Sequence, residues 1–312
     1  DAGGGADIIN LDQTITGTIT GGADNDTFNT TAAGTATSVT GGTGSDSLVG
    51  TAGADTINIT AADTVNIGGG QSHTSVENVD GAGNNDIIAV ASGGSLSGSA
   101  AGGTGTDTLT QADGANTWAI TGADTGTVTD ITGGWSAIEN LTGGTGADGF
   151  TINSGATLSG AIAGGTGTDT LTQADGANTW AITGADTGTV TDITGGWSAI
   201  ENLTGGTGAD GFTINSGATL SGAIAGGTGT DTLTQADGAN TWAITGADTG
   251  TVTDITGGWS AIENLTGGTG ADGFTINSGA TLSGAIAGGT GTDTLTQADG
   301  ANTWAITGAD TG

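Results

Sequence analysis

Residues 102–163, 164–225 and 226–287 are the same 62 letters three times over, and residues 288–312 begin a fourth copy. Verbatim repetition restricts the fold more than any single motif, because a unit that recurs unchanged must pack against its own copies. Residues 1–101 read as older, degenerate copies: SVENVDGAGNNDIIAV at 75–90 falls one block before AIENLTGGTGADGFTI at 137–152. The chain breaks off inside the fourth copy, so a segment of something longer is expected.

A shorter rhythm runs inside the block. AITGADTGTVT from Ala119, NLTGGTGADGFT from Asn140 and AIAGGTGTDTLT from Ala161 overlay on Ile120, Leu141 and Ile162, which are 21 residues apart, with Ile182 another 20 further on. This spacing predicts three coils of 20–21 residues per block. Each coil holds two short alternating stretches, such as TDTLTQ and NTWAIT, bounded by glycine, aspartate and asparagine. Alternation turns Leu109, Val128 and Phe150 inward from one strand and Trp118, Ile120, Ile138, Leu141, Leu158 and Ile162 from the opposing one. No window has a 3.6-residue apolar period, and the glycine and threonine content opposes helix.

The fold class that follows is all-β, a parallel β-solenoid in which each coil covers the next. Degenerate coils occupy 1–101, full repeats 102–163, 164–225 and 226–287, and a partial repeat 288–312. They are expected to form one continuous rod. About fifteen coils at a spacing of roughly 4.8 Å would make it on the order of 70 Å long.

Charge narrows the function. The 312 residues include 32 Asp and Glu, no Lys or Arg, 68 Gly, and no Pro or Cys. No side chain can form a salt bridge with a lysine or arginine, so compensation must come from solvent cations, and carboxylates suit calcium as hard oxygen ligands. A net charge of −32 excludes nucleic acid and anionic membrane surfaces as natural partners. No apolar run reaches the roughly 18 residues that span a bilayer. Zero cysteines remove disulfides and thiolate metal sites.

The nonapeptide GGTGTDTLT at Gly102, Gly164, Gly226 and Gly288 matches the GGxGxDxUx pattern, U being a large apolar residue. It returns as GGTGADGFT at Gly143, Gly205 and Gly267, as GGTGSDSLV at Gly41, and less perfectly at Gly21 and Gly81. These residues resemble the repeats-in-toxin (RTX) family. That resemblance implies a right-handed parallel β-roll with calcium held between turns by aspartates and turn carbonyls. It puts Asp26, Asp46, Asp86, Asp107, Asp148, Asp169, Asp210, Asp231, Asp272 and Asp293 in the metal-ligand role. The chain departs from the family where the opposite edge carries QADGAN, ITGGWS or NSGAT, and where TGADTGTVT from Thr121 puts Asp124 early and Gly126 in the ligand's place. Two-aspartate sites are therefore expected only for Asp86 with Asp107, Asp148 with Asp169, Asp210 with Asp231, and Asp272 with Asp293. The alternative is a plain turn whose aspartate caps backbone amides.

Over residues 40–312 the order of segments is similar to repeats of very large bacterial surface exoproteins, of the filamentous-haemagglutinin-like and RTX-adhesin kind. This implies a noncatalytic stalk, outside the cell or on its surface. Its partners would be like chains in a fibre or an extracellular ligand. The alternatives are an ice- or glycan-binding adhesin module and a self-assembling matrix or surface-layer filament. Trp135, Trp197 and Trp259 follow glycine pairs at corners and are the candidates for partner contact, whereas Trp118 alternates in phase with Ile120 and belongs to the core. His73, in GGGQSHTS, reads as a polar turn residue with no second ligand for a transition metal. Asn140, Asn202 and Asn264 open NLT, a glycosylation acceptor pattern, although an asparagine at a solenoid corner is the commoner explanation. An enzyme is not expected, because identical blocks would duplicate any active site.

Overall fold

A computed structural model describes residues 2–13, 15–31, 36–68, 71–298, 300 and 302. Among them are 34 β-strands and no helix. The chain divides into two compact units, Asp1–Phe150 with Gly155–Gly167, and Thr151–Ser154 with Thr168–Gly312. In each unit the strands fall into two sheets whose pairing is dominated by parallel neighbours, as a β-solenoid requires.

Side-chain alternation sets the core. In Thr108–Gln111 the even members are half-exposed, while Leu109 and Gln111 are buried. Every residue expected inward is buried: Leu109, Trp118, Ile120, Val128, Ile138, Leu141, Phe150, Leu158 and Ile162. In register they become rows. One row of the first unit runs Ile57, Ile88, Leu109, Leu141, Ile162. In the second unit the corresponding row is Trp180, Phe212, Leu233, Leu265, Ile286. Each fully buried side chain of this size contributes about 1.5–3 kcal/mol. Trp118 also stacks on Phe150, with ring centroids 5.4 Å apart and planes at 16°.

The uniform coil of 20–21 residues does not hold. Leu141 pairs with Ile162, a step of 21 residues, but Leu109 pairs with Leu141, a step of 32. The extra length is an antiparallel meander. Thr117–Gly122 pairs with Thr125–Val128, which pairs with Ile131–Ser136. Asp124 and Asp130, at φ 49° and 70°, make the two reversals, a conformation aspartate tolerates better than most residues. Ile120 therefore does not stack on Leu141. It faces Gly126 across the meander instead. An older meander, Thr56–Ala61, Thr64–Ile67 and Gln71–Thr74, occupies the degenerate region.

A block with its meander crosses between the sheets an odd number of times, so successive identical blocks land on opposite sheets. Within the second unit Trp180–Phe212–Leu233 lies in one sheet and its copy Trp242–Phe274–Leu295 in the other. The sequence repeats every block, while the structure repeats every second block.

Candidate functional site: the acidic corners

Each GGTGTD segment makes a tight corner. Gly103 and Gly105 sit at φ 99° and 151°, where side chains are strained, and a Cβ on either would run into a carbonyl of the neighbouring coil. The corner delivers the aspartate inward, so that Asp107 is only 1% exposed. Its Oδ1 accepts the backbone N–H of Asp86, one coil away, at 2.6 Å.

This contact recurs as rows. In the first unit Asp26 accepts from Asp7, Asp46 from Asp26, and Glu77 from Asp46. A second row there has Asp86 accepting from Asp55, Asp107 from Asp86, and Glu139 from Asp107. Asp148 accepts from Asn116 at 2.7 Å. In the second unit Asp210 accepts from Asn178, Asp231 from Asp210, and Glu263 from Asp231. Glu201 accepts from Asp169, Asp272 from Asn240, and Asp293 from Asp272. The expected pairs Asp86 with Asp107, Asp210 with Asp231, and Asp272 with Asp293 are thus adjacent members of a row.

The rows extend beyond the nonapeptides. Glu77, Glu139, Glu201 and Glu263 close them, and Asp7, Asp55 and the asparagines Asn116, Asn178 and Asn240 open them. The segment from Thr121 contributes nothing to a row, because it forms the meander. Asp124 instead accepts the N–H and hydroxyl of Ser159 at 2.7 and 2.9 Å.

One oxygen of these inner carboxylates is thus satisfied, but in seven of them the other is not. Oδ2 of Asp26, Asp46, Asp86, Asp107, Asp210, Asp231 and Asp272 is buried and receives no hydrogen bond from the described residues. A buried carboxylate with a free lone pair and no counter-charge is costly. Burial pushes Asp86 up to about 6; the Asp55 N–H opposes this, while the charges of Asp107, Asp55 and Asp80 add to it. Burial also raises Asp46, Asp148, Asp210 and Asp231.

These oxygens are hard donors of the kind calcium selects. Asp86 Oδ2 and the Gly102 carbonyl approach a common point, where a Cβ on Gly81 would collide with both. No group of three or more acidic or histidine side chains with metal spacing occurs among the described residues. A calcium ion here would therefore draw most of its six to eight ligands from carbonyls and water. The donor chemistry fits, with Asp26 and Asp46, Asp86 and Asp107, and Asp210 and Asp231 as the side chains that would hold it.

Two expectations are corrected, and one is refined. Trp135, Trp197 and Trp259 are each 2% exposed and so are not surface contacts. Their rings fill the space left at Gly126, Gly188 and Gly250, where a Cβ would meet the indole. His73 is not in a turn but in strand Gln71–Thr74, also 2% exposed. Asn140 is committed to the corner: its Oδ1 accepts from Ala161 and its Nδ2 donates to the Asp107 carbonyl. The same pattern holds at Asn202 and Asn264, so in the folded chain these amides hold corners together.

Among known proteins, no family model matches the chain and no curated protein was found similar to it.

Proposed function

We propose that this chain is a noncatalytic structural segment of an extracellular or cell-surface bacterial fibre or adhesin stalk, a right-handed β-solenoid whose acidic corners are stabilised by calcium. The observation that carries the reading is the set of buried carboxylate rows in a protein with no lysine or arginine. Such rows are repeated with the blocks, as a load-distributing architecture would be, and they need a cation from outside. Calcium would neutralise adjacent aspartates and join neighbouring coils, so binding would be coupled to folding.

Calorimetric titration of the chelated protein tests it. Calcium should bind, and Asp210→Asn with Asp231→Asn should remove the share of binding due to that pair. No heat of binding and no bound ion would sink the calcium reading.

An ice- or glycan-binding module is the second reading, favoured by one feature. Thr213, Thr234 and Thr266 are in register on an outer face, and none of the described strands of the second unit contains an acid. An uncharged threonine row in register suits an ordered hydroxyl lattice. Absence of thermal hysteresis and of binding to polysaccharide arrays would remove it.

A further inference from the structure

We infer that His73 is an acid-operated latch on the older meander, holding strand Gln71–Thr74 in place while neutral and releasing it when protonated. The inference goes beyond the structural reading above and does not depend on calcium.

His73 is the only histidine and the only side chain in the protein that can become a cation. It pairs with Val39 in parallel and with Val65 in antiparallel register, and its Nδ1 is buried with no hydrogen bond from the described residues. In the three later meanders the same position is tryptophan: Trp135, Trp197 and Trp259. An indole is neutral at every accessible pH, so one meander carries a titratable plug where the others carry an inert one.

Protonation finds no carboxylate on the strands paired with His73. The strands on either side, Ala36–Thr43 and Thr64–Ile67, contain no charged residue. Of the acids that flank this region in the chain, Asp63 is engaged by the Ser97 N–H and hydroxyl and Glu77 by the Asp46 N–H, while Asp46 takes the Asp26 N–H on Oδ1 and belongs to a corner row rather than to a strand paired with His73. Asp80 accepts from Ala82. A buried imidazolium without a partner is expelled or neutralised.

Burial holds the imidazole below its ordinary 6.5. A lowered folded-state value means that the neutral ring favours the fold. Its contribution is complete above 6.5 and is lost as pH falls from there through the folded-state value. The released strand would uncover Val39 and Val65 and leave the Ala36–Thr43 strand with an unpaired edge.

The single imidazole makes the test direct. The full chain is titrated by NMR in excess calcium, following the histidine ring protons together with amide exchange. The expected result is a ring midpoint below 6.5. Over that window, protection factors should fall at least tenfold in residues 64–67 and 71–74 and stay unchanged in 125–128 and 131–136. His73→Trp, the residue the later meanders use, should abolish the local step, and His73→Leu gives a second, smaller replacement. A midpoint at or above 6.5, a loss of protection shared equally by both meanders, or an acid step that survives in the folded variants would overturn the latch.

Discussion

Asp86 shows how a protein without a single fixed cation can bury acids. Its carboxylate takes one backbone N–H, from Asp55, and its own N–H serves Asp107. A neutral amide offsets only part of the desolvation, which is why its folded-state value rises from 3.8 to about 6. A raised value means that the protonated acid favours the fold, so this contribution is complete below 3.8 and is lost as pH rises through about 6. Asp86→Asn keeps the acceptor and removes the charge. In chelator at pH 7 the variant should melt higher than the parent, and its melting temperature should change less between pH 4 and 6.5; a calorimetric pH series checks both. The aspartates of the rows were legible in the sequence because the nonapeptide fixes the corner that turns them inward. Glu139 was not, since it lies 32 residues from Asp107 behind a meander of unrecognised length. Its extra methylene lets it reach from a corner that lacks the motif.

At the scale of the element, the meander is where sequence and structure part. TGADTGTVT shares glycine, aspartate and a large apolar residue with the corner motif at nearly the same spacing, so it reads as a third coil. Asp124 and Asp130 adopt positive φ and fold the segment back on itself, using two short reversals that mark hairpins. The burial pattern was still predicted correctly, because period-two alternation is the same in a coil and in a hairpin. The burial of Trp135 is hidden in the sequence for a related reason. Two glycines before Trp135 suggested an exposed corner, whereas the strand Ile131–Ser136 buries the ring against Gly126. Gly126→Ala should therefore press a methyl group into the Trp135 ring and the Ala119 carbonyl. A destabilisation of about 1–3 kcal/mol is expected, read from urea unfolding monitored by tryptophan fluorescence. The same change at Gly114, where a Cβ meets nothing within 4 Å but φ is +88°, should cost less and leave the fluorescence of the folded state unchanged.

At the scale of the whole molecule, the length of the sequence repeat and the period of the structure differ by a factor of two, which no reading of the repeat alone reveals. Thr213 and Thr275 hold the same place in consecutive blocks, yet lie in different sheets, whereas Thr213 and Thr234 are register partners. Pyrene attached to Thr213→Cys and Thr234→Cys should give excimer emission, and pyrene on Thr213→Cys and Thr275→Cys should not. Excimer from the second pair would mean that the blocks do not alternate. The buried acids of the rows lie at corners, where they crowd one another, and the proposed role of calcium is to let those corners close at neutral pH. Thermal unfolding of the full chain at pH 7, in calcium and in chelator, tests that role most directly. A melting temperature that climbs with calcium concentration and collapses on chelation is predicted; identical melts in the two solutions would contradict it.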